Sequence, residues 1–119
     1  MADISFGTIE ARFADIIWEK EPIRSPELVK IAGEELNWKK STTYTVLKRL
    51  CEKGIFKNEN SIVSAVISKK DYFSAQSEKF VNQAFDGSLP AFLSAFTSRK
   101  ELNEQEIEYL KELIKKYQK

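Results

Sequence analysis

The sequence predicts a mostly α (α+β) fold, a small helical domain carrying one β element and then a second helical segment. Three observations lead there. Apolar residues recur at three- and four-residue spacing in separate windows, and those windows are punctuated by Pro, Gly and Asn. One pair of β-favouring runs, Ile55-Phe56-Lys57 and Ile62 to Ile67, flanks the turn-rich Asn58-Glu59-Asn60-Ser61. From Lys69 to the end the helical spacing returns.

The first helix is expected to start with Ser5 as N-cap and Ile4 stapled on Ile9, and to run to about Glu19. Its stripe Ile9, Phe13, Ile16 and Ile17 faces a core, with Trp18 at the core edge. Pro22-Ile23-Arg24 leaves room only for a minimal strand. Ser25-Pro26-Glu27 then restarts a helix, with Ser25 capping, Pro26 at the first helical position and Glu27 at the positive end of the dipole. Leu28, Ile31 and Ala32 form its buried side, and Gly33-Glu34-Glu35 loosens the chain before a third helix that ends at Gly54. Two helices so closely spaced, a strand before them and a hairpin after them give the order of a winged helix-turn-helix domain, with the hairpin as wing.

The third helix has two unlike faces. At about 100° per residue, Thr43, Val46, Leu47 and Leu50 fall on one side, and Ser41, Tyr44, Thr45 and Lys48 on the other. The second face is hydroxylated and basic. Residues 39–57 hold six basic side chains against the single acid Glu52, a balance of +5. Residues 1–38 hold four basic and eight acidic ones, a balance of −4, so the overall +1 hides a concentrated charge. Hydroxyls flanked by cations suit a helix in the major groove, where side chains meet base edges while Lys and Arg hold phosphates. Taken alone, the same window also fits an ordinary amphipathic helix directed at a membrane surface or an acidic partner.

Composition excludes other classes of function. The 119 residues fit one compact domain, or one small domain with an oligomerisation segment, and 42% hydrophobic content suffices for a core. No apolar run approaches the roughly 18 residues of a membrane span. The first residues lack a secretory pattern, and a single cysteine cannot form an internal disulfide, so a cytoplasmic location is expected. With no His, no Cys pair and no Gly-rich phosphate loop, neither metal binding nor triad catalysis has its parts, and no cofactor is implied. Glu34-Glu35 and Glu104-Glu106-Glu108 read as surface and capping charges, and Cys51 beside Leu50 as a small core residue.

The last third is expected to form three helices: one spanning Asp71 to Phe85 and closed by Asp86-Gly87, a short one opened by Ser88-Leu89-Pro90, and one capped by Asn103. Phe73, Phe80, Phe85, Leu89, Phe92, Leu93, Phe96, Ile107, Leu110, Leu113 and Ile114 exceed what so small a segment can cover by itself. A second copy of the same segment is the expected cover. The alternative is a tail folded back on its own winged helix.

At this point the chain resembles the penicillinase-repressor family of bacterial regulators, which includes the β-lactamase, methicillin-resistance and copper-responsive repressors. The resemblance runs nearly end to end. It lies in Ile16-Ile17-Trp18-Glu19, in Trp38 with Thr42, Thr45, Leu47, Arg49 and Leu50, in Lys53-Gly54, and in Gly87-Ser88-Leu89 with Leu102 to Leu113. It implies a winged-helix DNA-binding domain over residues 1–68 and a helical dimerisation segment over 69–119, together acting as a homodimer on a palindromic double-stranded operator. By the same resemblance Thr42, Tyr44 and Thr45 meet base edges, Lys48 and Arg49 lie near the backbone, and Lys39, Lys40 and Ser41 belong to the same DNA-binding set.

The departures matter as well. Lys39 stands where the family has a capping Ser, so helix three should start slightly later, and Tyr44 replaces a position often basic in relatives. Ser61 to Ser68 has no Arg, Lys or Tyr, which implies weak phosphate contacts from the wing. The tail lacks the cysteines of the copper-responsive members. Ala95-Phe96 stands at the Asn-Phe bond that a sensor-protease cuts in others, which leaves any regulatory protease unknown. The expectation is a repressor and not an enzyme, with a winged-helix protein-interaction module that does not read DNA as the rival.

Overall fold

A computed structural model describes residues 7–117. The order is α1 (Thr8–Lys20), β1 (Ile23–Arg24), α2 (Ser25–Leu36), α3 (Lys40–Glu52), β2 (Phe56–Glu59), β3 (Ile62–Ala65), α4 (Lys69–Phe85), α5 (Leu89–Thr97) and α6 (Glu104–Lys116). The antiparallel sheet has strand order β1-β3-β2, with Ile23 opposite Val63 and Asn58 opposite Val63 on the other edge. The fold is the mostly α winged helix that the sequence predicts. Two compact units divide the chain, residues 1–77 and 78–119.

Unit one holds the core. Phe13, Ala14 and Ile17 of α1 meet Leu28 and Ala32 of α2, Leu47 and Leu50 of α3, and Phe56 and Val63 of the sheet, all nearly or fully enclosed. Trp18 closes one edge, its indole N–H donating to the Ile67 carbonyl at 3.0 Å and its ring lying 5.2 Å from Phe56 and 5.7 Å from Tyr72. Tyr72 is itself buried, which carries the first unit past the expected boundary at residue 68 and into α4. Phe73, expected in the dimer interface, lies within unit one with its ring 6.1 Å from Trp18, and it is 45% exposed.

Several local expectations change. Ser5 and Ile4 lie outside the described residues, and the N-cap of α1 is Gly7, whose N–H is met by the Glu10 carboxylate. Ile9 is 46% exposed rather than core, since α1 begins only one residue before it. The N-cap of α2 is Arg24, and Ser25 is the first helical residue, with its hydroxyl turned inward. Gly33 does not loosen the chain. The helix continues to Leu36 and stops at Asn37, in the left-handed region at φ 57°. Asn58 and Glu59 extend β2, and the turn narrows to Asn60-Ser61, both at positive φ as a two-residue hairpin turn requires.

Other signals hold. α3 ends in a paired set of backbone bonds, Gly54 N–H to the Cys51 carbonyl and Ile55 N–H to the Leu50 carbonyl, which needs the positive φ of 83° at Gly54. Ser88 caps α5 by accepting from the Ala91 N–H, and Asn103 with Glu106 forms a capping box at α6.

In unit two, α5 and α6 contain no buried residue. Phe80, Phe85, Phe92 and Phe96 form a chain of rings with centroids 5.7–6.2 Å apart. Beside it runs an apolar groove of about 290 Å³ lined by Phe92, Leu93, Phe96, Leu102 and Leu110.

Candidate nucleic-acid interface

The side chains of α3 and its start divide as the helical periodicity requires. Thr43, Val46, Leu47 and Leu50 are buried, and Lys39, Lys40, Ser41, Thr42, Thr45, Lys48 and Arg49 are exposed. Trp38, 4.9 Å from Phe13 between ring centroids, seats the helix start against α1. Thr43 is fully enclosed and resolves its polarity locally by donating to the Lys39 carbonyl at 3.1 Å.

α3 begins at Lys40, and no side chain caps it at Lys39. Its first turn therefore directs unoccupied backbone N–H groups outward beside two ammonium groups, a combination that favours anions. Among the described residues, Lys39, Lys40 and Lys48 take part in no ion pair. Thr45 gives its hydroxyl proton to the Ser41 carbonyl at 2.8 Å, so on this exposed side chain the oxygen keeps its lone pairs for accepting and the methyl group is accessible. Such a group can accept from an exocyclic base amine or meet a thymine methyl. Ser41 and Thr42 lie one turn earlier on the same exposed face.

Two side chains expected on that face are engaged elsewhere. Tyr44 is half-buried against the core and donates its hydroxyl proton to Ser25 Oγ at 3.2 Å. Arg49 places Nη1 at 2.6 Å from Glu10 Oε2 on α1. Burial pushes the Glu10 carboxyl up, but hydrogen bonds from Arg49 and the Gly7 N–H, with the charges of Lys53 and Arg49, outweigh it and hold the pKa below its ordinary value. Half of the Arg49 side chain remains exposed, so its other donors are still available.

The wing is anchored rather than basic. The Ala65 N–H donates to Glu21 Oε1 at 2.7 Å, and the Ser25 N–H reaches the Ser61 carbonyl at the hairpin turn. Lys57, the cation of β2, lies 3.5 Å from Glu59. Between α3 and the wing is a recess of about 330 Å³ lined by Tyr44, Leu47, Lys48, Cys51 and Asn58. Burial and the charge of Glu52 push the Cys51 thiol up, away from the reactive thiolate.

The residues that sequence reasoning missed are Glu10, Glu21 and the inward role of Ser25. Each acts across 19 or more positions of chain. Only the excess of acid before residue 38 signals that the basic helix has internal partners.

Comparison with known proteins agrees with this architecture. The profile of the penicillinase repressor family matches residues 6–116. The penicillinase repressor of Bacillus licheniformis is 24% identical over 112 residues, covering 91% of this chain and 88% of that protein. The methicillin resistance regulatory protein MecI of Staphylococcus aureus is 25% identical over 114 residues, covering 92% and 93%. A Staphylococcus aureus penicillinase repressor is 28% identical over 104 residues, covering 84% and 82%. On this end-to-end match the chain belongs to the penicillinase repressor family, whose members are transcriptional regulators and not enzymes.

Proposed function

We propose that this protein is a transcriptional repressor that binds a palindromic operator as a homodimer, with α3 in the major groove. The observation that carries the reading is the exposed face of α3. It presents Ser41, Thr42 and Thr45 for base edges and Lys39, Lys40 and Lys48 for phosphates, on a helix whose opposite face is fixed in the core. A helix with side chains is about 10–12 Å across and the major groove about 12 Å wide, so α3 fits. The wing adds little charge.

The homodimer is supported by unit two, where α5 and α6 leave Leu89, Phe96, Ile107, Leu113 and Ile114 exposed. A second copy would cover this surface and supply the second reading helix that a palindrome needs. Among the described residues no helix is long and apolar enough to cross a membrane.

Cutting at Ala95-Phe96 meets a structural barrier. That bond lies within α5, so cleavage would first require the helix to unwind locally.

The test is selection of duplexes from a random-sequence library by the full chain, followed by competition gel shifts against scrambled DNA. A recovered inverted repeat, bound at least about 10³-fold tighter than scrambled sequence, is expected for a specific regulator. The rival, a protein-interaction module, is favoured by the near-neutral total charge and the Lys57–Glu59 pair. It predicts that no sequence is enriched.

A further inference from the structure

The hydroxyl of Tyr44 does not point out with Thr45 and Lys48. It ends on Ser25 Oγ, 3.2 Å away. Ser25 is 3% exposed, too enclosed to reach DNA, and it is the first residue of α2. Its N–H is bonded to the Ser61 carbonyl of the hairpin turn at 2.8 Å. One point therefore joins α3, the start of α2 and the tip of the wing. The Tyr44 ring packs against the core beside it, so the hydroxyl is delivered by a side chain with little freedom.

We infer that Tyr44 is a positioning residue: through Ser25 it fixes the angle at which α3 presents Thr42, Thr45 and Lys48, and it does not itself read a base. This rests on the reading of α3 as the DNA-binding helix. Base-edge hydrogen bonds tolerate errors of only about 0.5 Å or 10–20°. Phosphate contacts by flexible lysines tolerate much more. Loss of the Tyr44–Ser25 bond should therefore reduce discrimination while leaving general DNA affinity in place. It would also strand a hydroxyl in a nearly closed site, which favours a shift of α3 that lets water in.

The experiment compares the full chain with Tyr44→Phe, Ser25→Ala and the double variant. Each is titrated with the duplex selected above and with a scrambled duplex, and thermal melting is followed in parallel. Tyr44→Phe keeps the ring and hence the packing. Each single change should lower the ratio of selected to scrambled affinity by roughly three- to tenfold, the scale of one hydrogen bond. The loss should be spread over the base pairs of the half-site, and the double variant should be no worse than the worse single one.

The inference is overturned if Ser25→Ala leaves the ratio unchanged while Tyr44→Phe lowers it, or if the loss is confined to one base pair. Multiplying losses in the double variant overturn it too, as does a lower melting temperature with the ratio intact. If the parent chain selects no duplex, the DNA-binding reading falls and this one with it. An untouched ratio on a duplex that the parent does select defeats the positioning role alone.

Discussion

Replacing Lys48 with alanine should change how operator binding depends on salt, by an amount that follows from the structure. Lys48 is exposed on the reading face of α3, and its ammonium group takes part in no ion pair among the described residues. Each phosphate contact removed lowers the slope of log affinity against log salt by about 0.9. A two-fold complex contains two such lysines, so the slope should fall by about 1.8. Between about 50 and 200 mM salt the parent should then lose roughly 12-fold more affinity than the variant. Arg49→Ala is the internal comparison. Its guanidinium already holds Glu10, so the slope should change by less than half as much, and the half-exposed Arg49 side chain limits the pair's stability effect to about 1 kcal/mol. Fluorescence anisotropy over a salt series, with selected and scrambled duplexes, reads both quantities. An unchanged slope for Lys48→Ala, or equal slope changes for the two variants, would refute the assignment of free and internally engaged cations.

Phe13→Ala should destabilise the first unit by about 3–5 kcal/mol, since the ring is fully enclosed among three helices and the sheet; chemical denaturation checks this. Glu10 has a folded pKa below its ordinary value, so the folded state resists its protonation: the stability it contributes is complete above the ordinary glutamate pKa of about 4.3 and is lost as pH falls through the lowered folded value. Glu10→Gln should remove that part of the acid sensitivity in a pH series of melts. With no His in the chain, operator affinity at constant ionic strength should change less than tenfold between about pH 6 and 8, as titrations at each pH would show. Ile114→Glu, at a position 60% exposed in the single chain, should leave secondary structure intact but give a monomer by sedimentation and weaken operator binding on the order of 10²-fold or more through loss of linkage.

Periodicity made α3 readable. The four residues it placed inward are the four that are buried, because a helix packed on one side allows no other arrangement. The caps at Ser88 and Asn103 and the stop at Gly54 were readable for a similar reason, since their partners lie within a few residues. What the sequence hides is tertiary. Ser25 carries every mark of an N-cap, yet the strand Ile23–Arg24 places the cap one residue earlier and turns the hydroxyl toward Tyr44. Tyr44 and Arg49 looked like surface groups because their partners, on α2 and α1, are 19 and 39 residues away. Gly33 resembles a helix break, but Asn37 supplies the left-handed residue that ends α2.

The apolar surface of unit two bears on more than assembly. A segment of some forty residues without a buried side chain in α5 or α6 lies at the lower limit of size at which one hydrophobic core sustains a fold alone. Local signals are nonetheless strong there: a capping box opens α6, acidic residues occupy its first turn and lysines its last. The helices are thus well specified individually while their common packing is left incomplete. On the proposed reading, association would complete that packing and join the two reading helices in one step, so folding of this segment and operator occupancy share a dependence on protein concentration. Any event that disorders unit two would then release DNA without touching α3, and any event that touches only α3 would leave the dimer intact.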